Sequence, residues 1–141
     1  MRSLPPMPEH IEEPQKAPRR RRPWAHKFRD ALRGWKFGIR GQSSFCVHFF
    51  FTALVIAAAF AMECSVEQSG LLLLCIGFVL TAELFNSALE TLHRGLDAET
   101  RERTWKALDI AAGAVLMASV TSMLVGLMVF CTKLCQLLGW A

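Results

Sequence analysis

Two runs of this chain carry no formal charge at all: 22 residues between Arg40 and Glu63, and 23 between Asp109 and Lys133. As helices rising about 1.5 Å per residue they reach roughly 33 to 35 Å, enough to cross a hydrocarbon core of about 30 Å. A third apolar stretch, residues 69–89, has the same length but holds Glu83 and ends against Glu90. All six prolines fall within the first 23 residues, so nothing of that kind interrupts a helix afterwards. A chain that is 52% hydrophobic and 20% charged, with mean hydropathy +0.29, is too apolar for an ordinary water-soluble domain. With few glycines and no tyrosine, collagen-like and all-β classes are also excluded.

The basic residues set an expected topology. Eleven precede residue 41, none lies in 41–93, four lie in 94–106, and Lys133 follows the last apolar run. The positive-inside rule places the N-terminus and the 93–108 loop in the cytoplasm, with the 62–68 link, holding Glu63 and Glu67, on the other side. The expected fold class is an all-α membrane protein: an amphipathic surface helix and three transmembrane helices, N-in and C-out, assembled as a homo-oligomeric bundle. The spans are expected at about 42–62, 69–91 and 108–132.

Residues 1–23, rich in proline and charge, cannot bury enough apolar surface to offset chain entropy and are expected to be a disordered cytoplasmic tail. They have no apolar core of the kind a cleaved leader needs. In residues 26–40, Phe28, Leu32, Trp35 and Ile39 recur at i, i+4, i+7 and i+11 among basic residues, which predicts a helix lying on the membrane surface. The net charge of +4 and the run 19–22 of four arginines are read as contacts with anionic headgroups and not with nucleic acid.

Ala114, Ala118, Ser122 and Gly126 repeat small residues every four positions and predict a face that packs closely on another helix. Trp105 and Trp140 read as interfacial anchors. The five cysteines form no Cys-x-x-Cys pair and read as small apolar fillers, and His48 reads as a hydrogen-bonded packing histidine.

Glu83, Asn86, Ser87 and Glu90 stand at i, i+3, i+4 and i+7, on one face of a helix over two turns. An acidic residue at mid-span costs on the order of 2.5 to 3.5 kcal/mol, so Glu83 should face protein or water and is a functional candidate. Asp109 begins the next span at the same level as Glu90, and in an antiparallel hairpin the two could converge. Carboxylates with amide and hydroxyl oxygens at a membrane interface suit Mg²⁺, which could bridge nucleotide phosphates, while the deeper carboxylate could take a proton from a lipid hydroxyl. The spacing equally allows hydrogen-bonded helix glue without chemistry, or a proton or cation pathway in a small transporter.

The octapeptide Glu-x-x-Asn-Ser-Ala-x-Glu from Glu83 to Glu90, the run 107–115 from Ala107 through Asp109 to Val115, and the Phe-x-x-His segment from Phe45 to His48 together resemble the bacterial diacylglycerol kinase and undecaprenol kinase family over residues 26–132. The resemblance implies that residues 24–141 are a small membrane kinase domain, a homotrimer in the inner membrane with its site at the cytoplasmic face. It would move the γ-phosphoryl of ATP, with Mg²⁺, onto a lipid hydroxyl, making phosphatidate or undecaprenyl phosphate. By the same resemblance Glu83 is the general base, Glu90 binds the metal, and Asn86 and Asp109 line the nucleotide site. Three positions depart from the family pattern. Gln42 replaces a second metal-binding Glu, Leu108 replaces a Lys, and His93-Arg94 replaces a hydrophobic-Asp pair. Arg94, one turn beyond Glu90, is expected to supply the positive charge that Leu108 removes. A catalytically impaired protein of the same fold is the alternative these departures allow.

Overall fold

The structure, a computed structural model, describes residues 23–40 and 43–140. Residues 1–22 of the tail expected over 1–23, and Gln42, lie outside the described residues. Four helices follow in order: α1 Trp24–Ile39, α2 Ser43–Ala61, α3 Val66–Arg94 and α4 Ala98–Leu137. There is no strand among the described residues. The last three helices are each long and apolar enough to cross a membrane.

Nearly every large apolar side chain points outward, including Phe50, Phe60, Leu74, Phe78, Leu116 and Met128. A helix apolar on all sides suits lipid or further helices, and α2, which buries only Phe45, is the extreme case. The apolar stripe of α1 (Phe28, Leu32, Trp35) is likewise not covered by the other described residues. The C-terminal end of α1 does touch α3: a Cβ on Gly38 would sit 2.7 Å from Leu84 Cδ2, so the absence of a side chain permits that approach.

α4 packs mainly on α3. Its contact face includes the predicted small-residue strip. Ala118 is 1% exposed, Ser122 Oγ donates to the Cys75 carbonyl at 3.3 Å, and Gly126 lies over Leu72. Small residues let two backbones approach where lipid supplies no hydrophobic drive between helices. The five cysteines are all free.

The stretch expected as a loop over 93–108 is mostly helix, because only Gly95, Leu96 and Asp97 separate α3 from α4. The Asp97 side chain accepts from the Thr100 backbone N–H at 3.0 Å, capping α4. That N–H holds the Asp97 carboxyl below its ordinary 3.8. Arg103 pairs with Glu99 one turn away. Charge here marks exit from the apolar zone, and with no breaker after Asp97 the helix simply continues through it. α3, at 29 residues, and α4, at 40, are about 43 and 60 Å long, so both outrun a bilayer core. α3 begins with a capping box in which Ser65 accepts from Gln68 N–H at 3.3 Å while Gln68 Oε1 accepts from Ser65 N–H at 2.9 Å.

Candidate active site

Of the eight buried residues among those described, three are polar, and all three lie within two turns of α3: Glu83 (3% exposed), Asn86 and Ser87. They occupy the face expected from their spacing. The cause is helical periodicity combined with the cost of leaving a carboxylate against hydrocarbon, which turns that face toward the other helices.

The first turns of α2 close over Glu83. Ser44 Oγ donates to Glu83 Oε1, and His48 Nε2 lies 3.7 Å from Glu83 Oε2. Ser44 and His48 are four residues apart, so one face of α2 delivers both. Phe45 between them is buried. Sequence reasoning missed Ser44 altogether and took His48 for a hydrogen-bonded packing residue. The readable signal was the pair itself, two polar side chains one turn apart in a run without charge.

Two turns beyond Glu83 the arrangement opens. Asn86 Nδ2 donates to Glu90 Oε1 at 3.0 Å, and Arg94 Nη1 is 3.6 Å from Glu90 Oε2. Glu90 is about one-third exposed and Arg94 mostly exposed. Arg94 Nη2 also donates to Thr91 Oγ1 at 3.1 Å, and Thr91 in turn donates to the Ser87 carbonyl at 2.8 Å. Arg101 secures the turn behind them: its Nη2 donates to the carbonyls of Arg94 and Leu96. The Ser87 hydroxyl is buried without a hydrogen-bond partner among the described residues.

Asp109 does not join this group. It is exposed, and it stands two residues, about 200°, around α4 from Ala111, which is buried on the α3-facing side. The hairpin brings the backbones of α3 and α4 together but turns this carboxylate away from Glu90. Among the described residues no three His, Cys, Asp or Glu side chains converge as a metal cage. The donor set still fits Mg²⁺ in the form that uses one or two carboxylates and completes its shell with phosphate and water. Glu90, half-open and beside the Asn86 amide, is suited to that role. Next to Asn86 an apolar recess of about 470 Å³ lies between α3 and α4, lined by Phe85, Leu89, Ile110 and Ala111 among others.

A family model described as prokaryotic diacylglycerol kinase matches residues 29–130, which contain the whole polar cluster. The chain belongs to the prokaryotic diacylglycerol kinase family. With three apolar helices, it is a membrane protein of that family. It is 33% identical over 100 residues to a diacylglycerol kinase of Synechocystis sp., covering 70% of this chain and 57% of the relative. It is 31% identical over 95 residues to an undecaprenol kinase of Bacillus subtilis, covering 67% of this chain and 77% of the relative. The matched region thus spans little more than half the length of the Synechocystis protein. No solved structure matches the chain. The two relatives bear the names of different lipid alcohols, so family membership leaves the acceptor open.

Proposed function

We propose that this chain is a lipid kinase that transfers the γ-phosphoryl of ATP, with Mg²⁺, to the hydroxyl of a membrane lipid, diacylglycerol or undecaprenol. The observation that carries the reading is one helix face with a graded environment. Glu83 is buried, and Glu90, about 10 Å further along the axis, is half-open beside a cation. Phosphoryl transfer needs positioning and charge neutralisation more than covalent chemistry, and so sparse a set of residues suffices.

In this reading Glu83 accepts the proton of the attacking hydroxyl. Glu90 and Asn86 would hold the metal, and Gln42, at the sequence position where the family pattern has a Glu, would offer a further ligand. Bound there, Mg²⁺ neutralises charge on the nucleotide phosphates. Arg94 already reaches the edge of Glu90 and is exposed enough to turn its guanidinium onto a phosphate, replacing the cation that Leu108 lacks. The apolar recess beside Asn86 is suited to hydrocarbon of the acceptor. Asp109 faces away from its own hairpin, so it would line a nucleotide site only alongside a neighbouring copy, as a homotrimer would provide. The density of basic residues before α2 and at the facing ends of α3 and α4 (Arg94, Arg101, Arg103, Lys106) supports a cytoplasmic active site in the inner membrane, with those residues against anionic headgroups.

The test is incubation of the purified chain in vesicles with labelled ATP and either diacylglycerol or undecaprenol, with and without Mg²⁺. Labelled phospholipid that requires Mg²⁺ is expected with one of the two acceptors. Failure with both acceptors, by protein that retains its helix content, would overturn the assignment.

A further inference from the structure

A carboxylate that takes a proton from a lipid alcohol has to pass it on before the next turnover, and Glu83 is poorly placed to do so alone. Its side chain is 4% exposed. One of its oxygens is occupied, since Oε1 accepts from Ser44 Oγ. The nearest acid–base group is His48, whose Nε2 lies 3.7 Å from Oε2 and whose side chain is 19% exposed, the more accessible of the two. That separation exceeds a direct hydrogen bond by less than about 1 Å, and such contacts are often long before substrate binds. A histidine whose polar partner among the described residues is this one carboxylate is poorly explained as filler in an apolar span.

We propose that His48 is a positioning residue that acts through Glu83, receiving the proton the carboxylate collects and carrying it outward. The proposal rests on the lipid-kinase reading above. Oε2 accepts from the incoming hydroxyl and, once protonated, can turn its O–H to donate to the unprotonated Nε2 while Ser44 holds Oε1 still. As the acceptor oxygen bonds to the γ-phosphorus, the bond from that phosphorus to the bridging oxygen breaks and its electron pair leaves with ADP. The hydroxyl proton goes to Glu83 Oε2 and then to His48 Nε2. The ring releases its Nδ1 proton to water, and a tautomeric return restores the Nδ1–H form in which Nε2 is again an acceptor.

The experiment compares His48→Ala and His48→Gln with the wild-type full chain in vesicles, with free imidazole as the probe. Both variants are expected to lose about 100-fold in kcat, the lower end of acid–base contributions, while KM for ATP and for the lipid stay within about twofold. Added imidazole should restore His48→Ala in proportion to its concentration and leave His48→Gln slow, because glutamine fills the site without carrying a proton. Glu83→Gln separates this inference from the reading beneath it. If Glu83→Gln still turns over, the carboxylate is not the base and the reading of Glu83 falls. If Glu83→Gln is inactive but His48→Gln runs at the wild-type rate, or imidazole fails to restore a folded His48→Ala, the relay alone is overturned. Should His48→Ala not fold, the kcat and KM of His48→Gln decide the question, since an unchanged kcat refutes the role and a selective loss of kcat supports it.

Discussion

Replacing Glu83 with leucine asks whether the buried carboxylate exists for stability or for chemistry. An acidic side chain at mid-span costs on the order of 2.5 to 3.5 kcal/mol relative to an apolar one. Against that stands the hydrogen bond from Ser44, and interhelical bonds of this sort are worth about 0.6 kcal/mol on average and about 1.7 at most. The 3.7 Å contact with His48 adds less than a direct bond would. Leucine has a similar volume, so the seam among Ser44, Phe45 and α3 stays filled. The Ser44 hydroxyl can turn back to a carbonyl of its own helix. Glu83→Leu should therefore leave the fold unharmed or more stable by about 1 to 2 kcal/mol, while phosphoryl transfer falls by at least about 100-fold. Reversible unfolding in mixed micelles at graded SDS, followed by helical circular dichroism, measures the first quantity, and the labelled-ATP assay the second. A loss of more than about 1 kcal/mol in stability would refute the reasoning, because the carboxylate would then be glue between α2 and α3.

On the α3–α4 seam, Ala118→Leu should destabilise by about 1 to 3 kcal/mol in the same SDS titration, since three added carbons meet a site 1% exposed, whereas exposed Met117→Leu should change little. Arg94→Ala should raise KM for ATP about tenfold with kcat nearly unchanged, the lower end of what a charge-assisted hydrogen bond supplies; an unchanged KM removes Arg94 from the phosphates. The Asp97 cap carries a pH dependence. Its folded carboxyl is held below the ordinary 3.8 by the Thr100 N–H, so its stabilising contribution is complete above that value and is lost as pH falls through the lowered one. Melting of wild type should drop below about pH 4 relative to Asp97→Asn, whose amide oxygen caps without titrating; parallel profiles would show that the cap does not contribute.

Much of this architecture was legible before any coordinates. Runs without charge are long enough to span a bilayer, and because the bilayer core leaves no unpaired backbone unpunished, such runs are helices. The face shared by Glu83, Asn86, Ser87 and Glu90 follows from 3.6 residues per turn, as does the strip of Ala114, Ala118, Ser122 and Gly126. The extent of α4 is the exception, because its charged first turns resemble a loop in sequence, although 98–106 contains no breaker and starts from a cap.

These are properties of one segment at a time, in which neighbours along the chain suffice to settle the outcome. How one helix is rotated against the next is another matter, because it depends on which ridges fit which grooves over the whole contact. Only the packed structure sets Ser44 and His48 of α2 against the two oxygens of Glu83. Only the packed structure turns Asp109 out of the hairpin, although its place in the sequence puts it level with Glu90. The sequence determined that polar groups exist at that depth and share a face, since periodicity and the cost of burying charge are local quantities. Tertiary packing decided which of them meet, since relative helix phase is a sum over contacts far apart in the chain.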